Sequence, residues 1–396
     1  MPLTFLGGNQ SQMKFKSPYR VYIVVTALVL LIGISSLAYG LMTASITIPC
    51  TGSIAIQSVS LLHTSGTELY DSNNSIARLY LTTIHDGQGF HMSQSDIQNI
   101  KSMGFKGIRF FVYWGICETS PSTVSTAYFS SGTGEPGSNA IDNLVNWCKS
   151  SGLYIMLCPG WTTTWNIPSW ASSSAGTTTF TTAGGGGTID LANQTTLNGI
   201  NYLYGWMANR YASYANVVFE SFNELQVSNP ATTLQRTTFS SFNNGWISAI
   251  EANEGSINHI KVIQLLYDWS QWNYVLQTSS PATISVAHSN IIFATHSYPL
   301  DKSSLSVANG CENAWVGFVH GQNYPIMDTE HSHCLGGGFA GLQQATTLLV
   351  NYNNVGWGYF VYEYSGNSDN TANVNNPTYG ASILPILQPY MASYTW

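Results

Sequence analysis

The sequence predicts an α/β fold, a (β/α)8 TIM barrel, over most of its 396 residues. Eight apolar segments of strand length recur along the chain, and most are separated by segments of helix length. The strands are hydrophobic nearly throughout rather than in alternation, which marks strands buried on both faces, as in parallel sheets. A barrel over about residues 75 to 390 accounts for strand count and length together. An open doubly wound sheet is the competitor, but no GxGxxG or GxxxxGK loop follows any strand.

The elements follow in order. Residues 1–20 are expected as a cytoplasmic N-terminal segment. Residues 21–43, VYIVVTALVLLIGISSLAYGLMT, carry no charge and are long enough to cross roughly 30 Å of hydrocarbon. Lys14, Lys16 and Arg20 precede this segment and no basic residue follows before Arg78, so the remainder is expected outside the cell. Ser36-Leu37-Ala38 and Ala38-Tyr39-Gly40 both fit a signal-peptidase site. The segment is therefore a transmembrane anchor or a cleaved signal, and the protein is secreted or held on the outer face of the cell membrane. Residues 44–58 are expected as a Ser/Thr-rich stalk, and 59–396 as the barrel domain.

Within that barrel, SVSLLHTSGTELYDSNNSIARLYLTTIHD predicts two short strands around the turn Asp71-Ser72-Asn73-Asn74, then a strand near 79–84. A helix from Ser95 to Met103, capped by Ser93 or Ser95, stops at Gly104 before the strand FKGIRFFVYW. Helices near Ala140–Ser150, Thr195–Tyr214 and Phe239–Glu254 precede LYIMLCP, NVVFESFNE and IKVIQLLYD. NIIFATHSY, YPIMDTE and VGWGYFVYEY complete the strands.

Charged residues make up 8% of the chain, against roughly a quarter in an average soluble protein, so the surface is built from uncharged polar residues. With 12 Lys+Arg against 19 Asp+Glu there is no basic patch to track a phosphate backbone, which excludes nucleic acid as a partner. The cysteines include no CxxC pair, and an exported chain is free to oxidise them. Cys311 and Cys334, in polar loops flanking a strand, are the expected disulfide, whereas Cys117, Cys148 and Cys158 in apolar segments are expected as buried thiols.

The active site of such a barrel lies at the C-terminal strand ends. The polar and aromatic residues interrupting apolar runs there include Arg109, Trp114, Glu118, Trp161, Asn223 with Glu224, Asp268 with Trp269, His296 with Tyr298, Glu330 with His331, and Glu363. Two carboxyl groups facing each other across a cleft are the minimal machinery for glycoside hydrolysis, and Glu224 on strand four and Glu330 on strand seven fit that demand. The Asn223 amide is placed to bind a sugar 2-hydroxyl. Trp114, Trp161 and Trp269 offer flat faces to pyranose rings. Glu363 is a rival nucleophile, as is Asp328, deeper on the same strand face as Glu330. His331 and His333 beside Cys334 lack a second ligand pair at zinc spacing, so neither metal nor cofactor is expected.

These residues resemble the retaining glycoside hydrolases of family 5, barrel enzymes with catalytic glutamates on strands four and seven. The likeness runs from about Val59 to Trp396. GTELYDSNNSIARLYL resembles the hairpin that closes the family's barrel floor, and DIQNIKSMGFKGIRFFVYW its first helix and second strand. The resemblance implies that Arg109 holds the nucleophile, that Glu224 is the acid/base and Glu330 the nucleophile, and that His296 and Tyr298 line the site. It further implies an aromatic platform on the last strand, here Phe360 or Tyr362 where the family usually has Trp. The chain departs from the family at Leu225, where Pro is common, and lacks a histidine on strand three. The implied function is a cellulase-like endo-β-1,4-glucanase acting as a monomer on β-glucan, with β-mannan, another β-glucan or xylan as alternative substrates. A non-catalytic surface polysaccharide-binding protein is the other class.

Overall fold

Eight parallel strands close into a barrel in the computed structural model. In chain order these are β3 (Leu79–Ile84), β4 (Gly107–Val112), β7 (Tyr154–Pro159), β10 (Val217–Glu220), β11 (Ile260–Gln264), β12 (Ile291–His296), β13 (Ile326–His331) and β14 (Gly356–Tyr359), paired in the order β10-β11-β12-β13-β14-β3-β4-β7. Two short antiparallel pairs, β5 (Glu118–Ser120) with β6 (Thr123–Val124) and β8 (Thr179–Thr181) with β9 (Thr188–Asp190), fall between β4 and β7 and between β7 and β10. The structure describes residues 59–84, 92–131, 140–160, 167–181, 187–227, 232–264, 287–296, 316–332, 338–351, 353–359, 362 and 374–393, all within the unit Ile56–Trp396. Among them no helix is long and apolar enough to cross a membrane; the expected anchor or signal at 21–43 and the stalk lie outside them.

Helices join the strands, and their ends follow side-chain chemistry. Helix α1 (Gln94–Met103) begins at Ser93, whose hydroxyl accepts the Asp96 amide N–H while Asp96 caps the Ser93 amide in return, and it ends at left-handed Gly104. After the short α2 (Trp114–Cys117) and α3 (Thr126–Ser131), α4 (Ile141–Ser151) ends at Gly152 in the same way. Helix α5 (Gln194–Arg210) is capped by Asn193. Helix α6 (Thr233–Glu251) starts six residues before the expected Phe239, because Thr232 and Gln235 form a capping box that the apolar periodicity does not register.

The floor hairpin turns one element earlier than expected. Strands β1 (His63–Ser65) and β2 (Glu68–Tyr70) pair across Gly66, whose φ of +60° suits a residue without a Cβ. The Asp71–Asn74 turn also forms, with the Asp71 carboxylate accepting the Asn73 and Ser75 amides, and closes a bridge between Tyr70 and Ile76. Leu62, Leu69 and Ala77 from this region pack with Leu79, Leu81, Met156, Val218, Val262, Ile292 and Met327 inside the barrel.

Side chains alternate along a strand, so the inward residues recur every second position. Stepping two residues up from Met156, Val218, Val262, Ala294 and Met327 reaches Cys158, Glu220, Gln264, His296 and Thr329, level with Arg109. The interior thus passes from an apolar floor to a polar layer at the C-terminal mouth. Cys117, Cys148 and Cys158 are buried free thiols, as expected; Cys311 and Cys334 fall outside the described residues.

Candidate active site

Arg109 organises the polar layer. It is fully buried and spends its guanidinium on three side-chain oxygens: Nε donates to Glu220 Oε2 at 2.6 Å, Nη1 to Glu330 Oε2 at 2.8 Å, and Nη2 to Asn223 Oδ1 at 2.7 Å. Burying such a charge is tolerable only with partners of this quality, and two carboxylates supply them. Asn223 Nδ2 remains buried without a partner among the described residues.

Glu330 reaches this network through an irregularity in β13. Thr295 pairs with Asp328 but His296 with Glu330, and on the other side Asp328 pairs with Trp357 but His331 with Tyr359, so β13 carries one extra residue. Strict alternation would put Thr329 and His331 inside; the bulge instead sends both Thr329 and Glu330 toward the mouth. His331 lies outside the barrel, edge-on to Trp357 and Tyr359. The expected common face of Asp328 and Glu330 is therefore corrected: Asp328 shares the outer parity of Ile326, and its carboxylate accepts the Glu330 amide N–H at 2.9 Å.

Glu224 stands four residues beyond the end of β10, not on the strand itself, in a left-handed conformation with φ +47°. His296 Nδ1 lies 2.7 Å from Glu224 Oε1 and 3.8 Å from Glu330 Oε2, while its Nε2 contacts Thr329 Oγ1 at 3.1 Å. One ligand atom from each of Glu224, His296 and Glu330 lies within 4.8 Å of the others. All three residues are 4–5% exposed. This trio has the donor set of a cation site, but the Arg109 guanidinium already occupies Glu330 Oε2 and opposes a second cation there.

The two acids sit in environments that separate them. Burial pushes the Glu224 carboxyl up to about 7, Arg109 working against the rise and Glu220 adding to it. Burial pulls His296 down to about 4, so its imidazole is neutral near pH 7. Glu330 instead holds a direct ion pair with Arg109.

Other expected site residues fall elsewhere. Trp114 is fully buried in α2, edge-on to Trp170 and Phe222, so the expectation of a sugar platform there is corrected: the helical turn after β4 aims the indole inward. Tyr362 is corrected likewise; its ring is buried and its hydroxyl accepts from Asn99 of α1 at 3.1 Å, between barrel and helix. Glu118 is buried against the Trp114 indole N–H, and burial raises its carboxyl to about 8. Trp161, Trp269, Tyr298, Phe360 and Glu363 lie outside the described residues. Glu220, Gln264 and Thr329 were not anticipated, although a second acid inside VVFESFNE, four residues before Glu224, and a lone amide inside IKVIQLL were visible signals.

A closed parallel barrel bearing paired glutamates, an arginine and a histidine at its C-terminal mouth places the protein among the barrel glycosidases. The chain belongs to the cellulase family, glycosyl hydrolase family 5, whose sequence model matches residues 70–368. No curated protein sequence matches it. Among solved structures it is similar to the catalytic domain of Thermobifida fusca endoglucanase Cel5A, with 18% identity over 85% of this chain and 97% of that one, TM-score 0.54. A GH5-4 broad specificity endoglucanase from Clostridium acetobutylicum aligns with 16% identity over 75% and 89% of the two chains, TM-score 0.56. An endogalactoceramidase aligns with 13% identity over 82% and 78%, TM-score 0.61. At these identities the likenesses establish the fold.

Proposed function

We propose that the protein is an exported retaining β-glycosidase that cleaves β-1,4-linked glucan by double displacement, with Glu330 as nucleophile and Glu224 as acid/base. The observation that carries the reading is the separation of the two acids: carboxylate oxygens of Glu224 and Glu330 lie within 4.8 Å. Retaining enzymes hold their carboxyl groups about 5–5.5 Å apart, whereas inverting ones need about 6.5–9.5 Å to admit a water.

In the first step Glu330, ionised beside Arg109, attacks the anomeric carbon while Glu224 protonates the departing oxygen. Glycosylation of Glu330 removes a nearby negative charge, which lowers the affinity of Glu224 for its proton and lets it activate water in the second step. Neutral His296 orients Glu224, and the free Asn223 Nδ2 is a donor for the sugar 2-hydroxyl. Support for a glucan comes from similar proteins: the T. fusca enzyme is described in complex with cellotetraose, and a xyloglucan-specific endo-β-1,4-glucanase in complex with cellotriose. Support for export comes from the uncharged segment 21–43.

The test is release of reducing ends from carboxymethyl-cellulose, lichenan, xylan and mannan by wild type and Glu330→Gln, with NMR of the first anomer formed. Release from the glucans with retained configuration, absent in Glu330→Gln, is expected. Equal release by both proteins, or an inverted product, removes the mechanism.

A further inference from the structure

Glu224 combines a chemical task with a costly backbone. A non-glycine residue in the left-handed region costs about 1–2 kcal/mol and persists only where its surroundings over-determine it. Backbone bonds flank this turn, from Asn223 N–H to the Pro159 carbonyl and from Gln226 N–H to the Thr181 carbonyl, and the side chain that holds the bent residue itself comes from β11: the Glu224 amide N–H donates to Gln264 Oε1 at 2.7 Å. Gln264 is held in turn. Its Nε2 donates to Glu220 Oε1 at 2.9 Å, and its backbone N–H to Ser221 Oγ at 2.8 Å.

The carboxamide therefore spans two levels, an acceptor for the bend above and a donor for the carboxylate below, and neither Leu nor Met could do both. Gln264 is 4% exposed, so bulk water does not stand ready to replace it. Glu330 is held directly by Arg109 Nη1 and by the Asp328 carboxylate on its amide, and Gln264 reaches that arginine only through Glu220, whose other oxygen accepts from Arg109 Nε.

We propose that Gln264 is the positioning residue of Glu224: its side-chain amide fixes the left-handed turn that aims the acid/base, without touching the reacting atoms. This rests on the reading of Glu224 as proton donor. It has a consequence that a packing role lacks, namely that Gln264 matters only where proton donation matters.

The test compares kcat/KM on two aryl β-cellobiosides. Dinitrophenolate leaves without a proton, whereas methoxyphenolate needs one. Gln264→Met is expected to lose about 10²-fold on the methoxyphenyl substrate, the scale of a misplaced catalytic group, and less than about threefold on the dinitrophenyl one. Gln264→Asn keeps the amide but is one methylene too short for both contacts; it provides a milder variant with the same expected dependence on the leaving group. Equal loss on both substrates, or no loss on either, in whichever variant folds, overturns the proposal. Glu224→Ala is measured alongside. If it lacks leaving-group dependence, the reading of Glu224 itself fails, an outcome distinct from its showing that dependence while the Gln264 variants do not.

Discussion

His296 Nδ1 stands 2.7 Å from Glu224 Oε1, and both side chains are buried at the C-terminal end of the barrel. The two groups are pushed in opposite directions by the same burial, His296 down to about 4 and Glu224 up to about 7. Between those values the imidazole is neutral and the carboxyl keeps its proton. On the far side of the ring Thr329 Oγ1 can donate or accept, so either imidazole tautomer is satisfied as Glu224 gains or loses that proton.

The activity should accordingly fall as pH rises through about 7, because Glu224 then loses the proton it must donate. The measurement is kcat/KM against pH on a soluble β-glucan. Glu224→Gln should lower it about 10²–10⁴-fold and abolish that limb. A residual activity that keeps the same descending limb would assign it to another group.

Replacing Arg109 tests the charge balance of the layer. Lysine offers one ammonium where the guanidinium serves Glu220, Glu330 and Asn223 in three directions. At least one buried carboxylate then loses its partner, and the expected cost is about 3–5 kcal/mol of stability. Urea unfolding of Arg109→Lys checks this; an unchanged midpoint would mean that the network contributes little to the fold.

The barrel was legible because its strands are apolar on both faces and its helices end at Gly104 and Gly152, signals that are local in sequence. Glu224, Glu330, Arg109 and His296 were legible as polar breaks at strand ends, and the structure brings these four together. Orientation was less accessible. Strand parity alone puts Glu330 with Asp328, and only the extra residue in β13, a property of pairing with β12 and β14, separates them. Trp114 looks like a platform in sequence because nothing local says that α2 turns its indole toward Trp170 and Phe222.

Glu118 provides a pH signature of stability distinct from catalysis. Burial lifts its carboxyl from 4.5 to about 8 in the folded protein. The unfolded chain releases the same proton near pH 4.3, so from there to about 8 the native state binds more protons and stability falls as pH rises. The contribution is complete at low pH and lost above the folded value. Glu118→Gln removes the buried charge, so it should match wild type near pH 4 and exceed it at pH 8 by on the order of 4 kcal/mol. Denaturant titrations of both proteins at the two pH values test this, and a difference that does not grow with pH would contradict it.

Gly358 lets β14 approach the bulge that delivers Glu330. A Cβ there would lie 2.2 Å from the Thr329 carbonyl oxygen, and His331 Nδ1 contacts the Gly358 carbonyl at 3.2 Å. Gly356 makes the same kind of approach at the floor, where a Cβ would lie 2.2 Å from the Leu79 carbonyl oxygen. Both alanine substitutions should destabilise, each by about 1–3 kcal/mol through overpacking against backbone that cannot give way. They should differ in activity. Gly358→Ala displaces Thr329, and with it the adjacent Glu330, so kcat should fall about tenfold or more at temperatures where the protein remains folded. Gly356→Ala strains the opposite end of the same strand and should leave kcat close to wild type. Thermal melts and initial rates on the two variants separate strain at the site from strain in the barrel, and equal losses of kcat would show that the bulge does not set the position of Glu330.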